Sequence, residues 1–431
     1  MDDRRYDLVL WGATGFVGRL IARHLADQLR AEQGGRARIA LAGRSQARLQ
    51  ALADELDVDW PLIVGDATDE RQLAKLAAST AVVATTVGPY LRRGLPLVLA
   101  CARAGTSYCD LSGETLFVHS SIAAAHQQAA DTGARITHAC GFDSVPSDLA
   151  VLLLHQRVTA DGEGTLTRTI NVLTSAWGGI SRGTLDSLLG DRAAARSDPA
   201  MRAIADDPWA LSTQPGAQRP ARTDNVWPTR DALTGRWVAP SLFGPFNERI
   251  VRRSATLLDA VDGDEHGYGQ GFDYHEYLGA STTPVAPLLA TGLAAGLSAA
   301  RAVLSSPLPR ALVSPLLPGP GQGPSARTQR RGFFRMEITA RTTTGAEYLA
   351  VVSAHGDPGY AATAVMFAQS ALALAVDAPS APGGVLTPAV AVGATLPDRL
   401  RRQGFVLSVE RLPTRSRSVV TTPDPPARAA E

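Results

Sequence analysis

Residues 7–18 read DLVLWGATGFVG, and this stretch decides the fold. Leu8, Val9, Leu10 and Trp11 have the composition of a buried strand. Gly12, Ala13, Thr14, Gly15, Phe16, Val17 and Gly18 follow, and an amphipathic helical pattern begins at once. Strand, glycine turn and helix in this order form a dinucleotide-binding unit. Gly12 permits the tight turn, Gly15 lets the backbone approach a pyrophosphate, and Gly18 lets the helix close on the sheet. The diphosphate then meets the N–H groups and positive dipole end of the helix. Glycines punctuate ordinary turns as well, but their place directly behind a strand pattern favours cofactor contacts from Gly12, Thr14, Gly15, Phe16, Val17 and Gly18.

The second phosphate signal lies one strand–helix–strand unit later. Residues 38–43 (RIALAG) read as a strand, and Arg44 and Ser45 follow it. An NAD site usually has an Asp or Glu there for the ribose hydroxyls; an arginine and a hydroxyl suit a 2′-phosphate and therefore NADP(H). Arg44 as a solvated strand end and Ser45 as a helix N-cap is the simpler reading, and both roles can coexist. Residues 61–66 (PLIVGD) form a third strand pattern, with Asp66 and Ala67 placed to meet the adenine edge. A helix N-cap is the other role open to Asp66.

Strand and helix patterns keep alternating to residue 141, with further strands expected at 81–88, 107–112 and 134–141 and helices at 95–104 and 120–132. That rhythm predicts an α/β class, a Rossmann-type doubly wound parallel sheet over residues 1–142. Beyond it the pattern becomes that of an inserted α+β domain, 143–357. A helix is expected at 144–157, a strand at 167–175, irregular chain with a short helix at 197–231, and strands at 268–277, 333–342 and 347–355. An apolar helix at 360–376 and a strand at 404–409 make 358–412 a return to the first domain, with a disordered tail at 413–431.

The composition excludes several functions. With 431 residues, 45% of them apolar, and a formal charge of +1, the chain can bury a large core and shows no global field for nucleic acid. The opening MDDRRYD has no apolar run, and Cys101, Cys109 and Cys140 are too scattered for a disulfide framework or zinc site, so a reducing cytoplasm is expected. Lys75 is the sole lysine, and Arg71 stands where a Tyr-x-x-x-Lys pair would need tyrosine; short-chain dehydrogenase catalysis cannot be built. Residues 284–300 carry no charge, and apolar, Pro-rich sequence continues through 318. A helix packed between domains and a peripheral contact with the inner membrane surface through 284–318 are both open.

Three loops could hold the chemistry. Val87, Gly88, Pro89 and Tyr90, with Arg92 and Arg93 behind them, end the fourth strand, where the nicotinamide half passes. Residues 140–146 (CGFDSVP) end the sixth strand and open a helix; Asp143 or Ser144 could cap it, or could hold or protonate a substrate. Residues 177–184 (WGGISRGT) open a further helix, where Gly179, Ser181 and Arg182 could bind an anion. Tyr268, Phe272, Tyr274 and Tyr277 read as core. The eight histidines show no metal spacing, and no Ser/His/Asp set is recognisable.

The motifs GATGFVG (12–18), AGR (42–44), TTVGPY (85–90), AGTSYCDLSGE (104–114), ACGFDSVPSDL (139–149), GGISRGT (178–184), PFNERIVRRS (245–254), GPSARTQRRGFF (323–334), TAVMFAQSALAL (363–374) and GVLTPA (384–389) together resemble the saccharopine dehydrogenase-like oxidoreductases. Within them the chain is most similar to the mycobacterial trans-acting enoyl reductases of polyketide lipid synthesis. The resemblance implies NADP(H) and reduction of an enoyl thioester on a polyketide synthase or carrier protein. It supplies no catalytic residue, so Tyr90, Asp143 and Ser144 stand as candidates from position alone. Two rival readings stay open. One is oxidoreduction of a saccharopine-type amino-acid adduct, with Arg92, Arg93 and Arg182 for its carboxylates; the other is a non-enzymatic lipid-surface protein. The sequence is compatible with a homo-oligomer.

Overall fold

The computed structural model describes residues 4–31, 37–178, 193–212, 227–262, 267–281, 286–305, 323–377 and 379–413. The strands β1 (Tyr6–Trp11), β2 (Ile39–Gly43), β3 (Leu62–Val64), β4 (Thr80–Thr85), β5 (Ser107–Asp110) and β6 (Arg135–Thr137) all run parallel. The helices α1 (Phe16–Ala31), α2 (Gln46–Leu56), α3 (Glu70–Ser79), α4 (Tyr90–Ala104) and α5 (Thr115–Thr132) join them. Alternate residues of β1 go to opposite layers: Leu8 and Leu10 pack with Ile21 and Leu25 of α1, while Val9 and Trp11 pack with Leu97 and Val98 of α4. β1 pairs with β2 on one side and β4 on the other, so the strand order reverses there and opens a crevice beyond the strand ends.

The chain then builds a second sheet. Its elements are α6 (Val145–Ala160), β7 (Leu166–Trp177), α7 (Pro199–Asp206), β8 (Thr229–Arg230), β9 (Trp237–Pro240), α8 (Gly244–Asp262), β10 (Asp273–Ser281), α9 (Ala286–Ser305), α10 (Ala326–Arg331), β11 (Phe333–Thr342) and β12 (Glu347–His355). After a π-helical turn, Pro358–Ala362, come α11 (Thr363–Val376), β13 (Gly384–Leu386), α12 (Pro388–Val392), α13 (Leu396–Arg402) and β14 (Val406–Arg411). The two seven-stranded sheets are ordered β13-β6-β5-β4-β1-β2-β3 and β14-β12-β11-β7-β10-β9-β8.

The return to the first sheet is shared between the sheets. The buried α11 packs on α1 and the first sheet, and β13 pairs parallel with β6. β14, expected there too, instead pairs antiparallel with β12 at the edge of the second sheet. β13 already occupies the free edge beside β6, and the alternation of exposed Val406 with buried Leu407 suits an edge strand with one covered face. Other boundaries move too: α5 begins at Thr115 rather than 120, and β6 ends at Thr137 rather than 141. Helix α4 begins at Tyr90, five residues early, for a reason given below, and β10 begins at Asp273 because Gly269 (φ 113°) turns the chain ahead of it.

In the apolar segment, α9 lies on β9 and β10, burying Ala286, Ala290 and Ala294 and exposing Leu288, Leu289 and Leu293. Residues 284–285 and 306–318 of that segment, and the tail from 414, lie outside the described residues.

Candidate active site

The glycine turn has the geometry that a dinucleotide needs. Gly12 takes φ 90°, and a Cβ there would lie 2.7 Å from Thr86 Oγ1 and 2.8 Å from Val87 Cγ2. A Cβ on Gly18 would lie 2.2 Å from the carbonyl oxygen of Gly12, so only glycine lets α1 close on the turn. At Gly15, by contrast, a Cβ would meet only Gly12 O, at 3.3 Å. Its other side is open and exposed, which is the room a phosphate requires. Thr14 and Val17 are half-buried around it, and Phe16 packs edge-on against Tyr360 at 5.0 Å. Thr86 donates its backbone N–H to Trp11 O, which fixes Val87, Gly88 and Pro89 beside the turn. These residues fit NADP(H), with the diphosphate over Gly15 and the first turn of α1.

On the adenine side, β2 and β3 end together, with Gly65 N donating to Gly43 O at 3.1 Å. Arg44 is exposed, and Ser45 caps α2 by accepting from Arg48 N at 3.4 Å. Asp66 is not a helix cap. Its Oδ1 accepts from the backbone N and hydroxyl of Thr68, and α3 is capped by Asp69. Those bonds hold the Asp66 carboxyl below its usual range, and the charges of Arg44 and Arg93 add to them. Arg93 is exposed on the first turn of α4, within reach of the Asp66 charge, and Ala67 is half-buried. Arg92 is exposed on the same first turn of α4.

Tyr90 is not a candidate proton donor. Its hydroxyl is buried, donates to Thr85 O at 3.2 Å and accepts from Leu111 N at 3.3 Å, and its ring stacks on Phe117. Burial pushes its pKa well above the ordinary range. The phenol is a pin between two loops. Glu114, which sequence reasoning missed, caps α4 from the neighbouring loop: Oε1 accepts from Tyr90 N at 3.0 Å and Oε2 from Leu91 N at 2.6 Å. A carboxylate on the positive helix end explains why α4 starts at Tyr90 without a local cap.

A Ser/His/Asp chain does exist. Asp110 Oδ2 lies 2.8 Å from His138 Nδ1, and His138 Nε2 lies 2.8 Å from Ser121 Oγ. All three are buried, so no substrate reaches Ser121. Asp110 Oδ1 also accepts from the backbone N of Ser112 and Ala139, so the chain holds the loops after β5 and β6 in register.

The loop after β6 carries Asp143 and Ser144. Asp143 is half-buried and forms no hydrogen bond or ion pair among the described residues; burial pushes its pKa up to about 6. Ser144 precedes α6 but does not cap it. Its buried hydroxyl donates to Asn247 Oδ1 on α8 at 2.9 Å. Asn247 Nδ2 in turn donates to Glu276 Oε1 at 2.9 Å, while Glu276 Oε2 accepts from Ser147, Asn171 and Tyr274. Burial pushes Glu276 up to about 7, against the pull of those donors. The motif 245–254 thus supplies Asn247 to the site and buries its arginines: Arg249, Arg252 and Arg253 hold backbone carbonyls of residues 205–211.

The second domain reaches the cofactor turn through Asp357. A Cβ on Gly178 would lie 2.7 Å from Asp357 Cβ, and the chain continues to Tyr360 against Phe16. Thr363 Oγ1 accepts from Phe142 N, tying the Asp143 loop to α11. Gly179, Ser181 and Arg182 lie outside the described residues.

A cofactor cradle at the switch point of a doubly wound sheet is the site of an NADP(H)-dependent oxidoreductase. Residues 8–137 match the saccharopine dehydrogenase NADP-binding domain. A trans-acting enoyl reductase of Mycobacterium tuberculosis is 46% identical over 427 residues, covering 95% of this chain and 99% of that protein. One of Mycobacterium ulcerans is 44% identical over 426 residues, covering 95% and 99%. The apo saccharopine dehydrogenase (L-Glu forming) of Saccharomyces cerevisiae shares the fold, with a TM-score of 0.52 at 14% identity over 94% of this chain and 99% of that one. The chain belongs to the saccharopine dehydrogenase-like oxidoreductases, in the group of the mycobacterial trans-acting enoyl reductases.

Proposed function

We propose that this enzyme reduces the carbon–carbon double bond of an enoyl thioester presented by a separate polyketide synthase or carrier protein. The observation that carries the reading is 46% identity over 95% of the chain to a trans-acting enoyl reductase. NADPH, when bound, supplies the hydride for the β-carbon. The protein must then stabilise charge on the thioester oxygen and deliver a proton to the α-carbon. Asp143 suits the proton delivery, because a carboxyl lifted to about 6 and held by no partner among the described residues keeps a proton available near neutrality. Ser144 suits a positioning role, because its proton is committed to Asn247.

A saccharopine-type adduct would need cations for several carboxylates beside the nicotinamide. Arg93, whose charge acts on Asp66, is one candidate, so that reading has less support than the enoyl one. Three buried free cysteines support a cytoplasmic setting, and the exposed leucines of α9 support a peripheral contact with an apolar surface. NADPH oxidation with enoyl thioesters and saccharopine-type substrates side by side tests the assignment.

A further inference from the structure

Two large aromatic side chains stand in solvent at one end of the second sheet. Trp177, the last residue of β7, is 62% exposed, and Phe333, the first of β11, is 40% exposed. They are direct cross-strand partners, so their side chains lie on one face of the sheet. Immediately before Phe333, the helix α10 carries Arg327, Arg330 and Arg331, all three exposed. None of these three forms an ion pair among the described residues. Arg335 and Arg341, further along β11, are paired with Glu337 and Glu347. The unneutralised charge is thus gathered beside the aromatic pair.

This patch adjoins the cofactor turn. Asp357 N donates to Gln329 O of α10 at 3.0 Å, and Gly332 lies so close that a Cβ there would come within 2.2 Å of Asp357 Cα. Gly178, next to Trp177, packs on the same Asp357. From Asp357 the chain runs three residues to Tyr360, whose ring meets Phe16 at the first residue of α1. Trp, Phe and Arg together are the side chains enriched at protein interface cores, and a cationic rim selects an acidic partner and speeds its encounter.

We propose that Trp177, Phe333, Arg327, Arg330 and Arg331 form the docking surface for an acidic carrier protein that presents the thioester. The proposal rests on the enoyl-thioester reading above. It accounts for a trans-acting enzyme needing a dock beside its cofactor turn: the carrier stays outside on the arginines while its tethered acyl chain enters. An anionic membrane surface could also bind arginines and a tryptophan. The patch's place at the cofactor turn, where the load must be handed over, favours the carrier.

The test compares one enoyl group on two supports. Crotonyl-CoA and a crotonyl-loaded acidic acyl carrier protein are assayed with the parent enzyme, with R327E/R330E/R331E and with W177A, with NADPH affinity as the check on folding. The expected result is a KM for the carrier-bound substrate raised about tenfold or more in the charge-reversal variant. Its salt dependence should be lost, W177A should shift in the same direction, and crotonyl-CoA kinetics and NADPH affinity should be unchanged. Equal losses on both substrates, or no change on the carrier, would overturn the dock. Loss of binding to phosphatidylglycerol vesicles with unchanged carrier kinetics would assign the patch to lipid instead. If the parent enzyme reduces neither substrate, the enoyl-thioester reading fails first and the dock falls with it; activity on crotonyl-CoA alone leaves that reading standing and refutes the dock.

Discussion

Ser144 and Glu276 are joined by a single side chain: Asn247 accepts from Ser144 through Oδ1 and donates to Glu276 through Nδ2, each at 2.9 Å. The amide therefore links the loop after β6 in the first domain to β10 in the second. Its orientation is set by the carboxyl, since only Nδ2 can donate to an acceptor. The groups facing this carboxyl are Ser147 of α6, Asn171 of β7, Tyr274 of β10, and Asn247 and Glu248 of α8. Arg252 pairs with Glu248 at 2.8 Å, and His275, held up to about 9 by Asp273 and Glu248 against its burial, completes the charged surroundings.

Glu276→Gln should change the pH dependence of stability. The folded pKa, about 7, lies above the ordinary 4.5, so the folded state holds a proton that the unfolded chain releases across that window. The carboxyl's contribution is fully present below about 4.5 and is lost as pH rises to about 7. The Tm deficit of the Gln variant should shrink from pH 5 to pH 8. A deficit independent of pH would show that Glu276 does not titrate there.

Tyr90→Phe removes a hydroxyl that bridges Thr85 O and Leu111 N. Leaving the Leu111 N–H without its acceptor should cost about 1–3 kcal/mol of stability. Denaturant unfolding should register that loss while kcat stays unchanged. A large fall in kcat with unaltered stability would return the phenol to the reacting centre.

What was legible in the sequence was local. The glycine turn could be read because its three special positions lie within seven residues and each answers to a backbone constraint, from the φ of Gly12 to the contact of Gly18 with Gly12 O. The cap of α2 by Ser45 was legible for the same reason: it lies three residues from the N–H it accepts. The Ser144–Asn247 bond spans 103 positions and the Asn247–Glu276 bond 29, and nothing in the local pattern announces either. Glu114 was hidden because it caps a helix that begins 24 residues upstream. The arginines of 249–253 look like a solvated face in one dimension, and the chain of residues 205–211 buries them.

Gly15→Val should abolish NADPH binding in a folded protein. A Cβ at Gly15 meets only Gly12 O at 3.3 Å, so the turn can hold a side chain that then fills the phosphate's space. Fluorescence titration and circular dichroism on the same sample separate the two effects. NADPH binding at parent affinity by a folded Gly15→Val variant would make the turn purely structural.

Arg44→Asp should reverse the preference for NADPH over NADH if the exposed Arg44 meets the 2′-phosphate, because the new charge repels that phosphate and can accept from a ribose hydroxyl. Dissociation constants for both cofactors check it. With Arg93 still nearby, Arg44→Asp/Arg93→Ala should widen the reversal; equal affinities in the parent enzyme would refute the NADP(H) site.

NADPH-dependent reduction of an enoyl thioester with Asp143 as the proton donor is tested most directly by one kinetic profile. That measurement is kcat for NADPH oxidation with crotonyl-CoA from pH 5 to pH 8, in the parent enzyme and in Asp143→Asn. An acid must be protonated to act, so the parent rate should fall as pH rises through about 6, where burial has set this carboxyl. The Asn variant should be about 10²-fold slower and flat with pH, with NADPH affinity unaltered. A parent profile without that inflection, or an Asn variant that keeps both the rate and the pH dependence, would contradict the assignment.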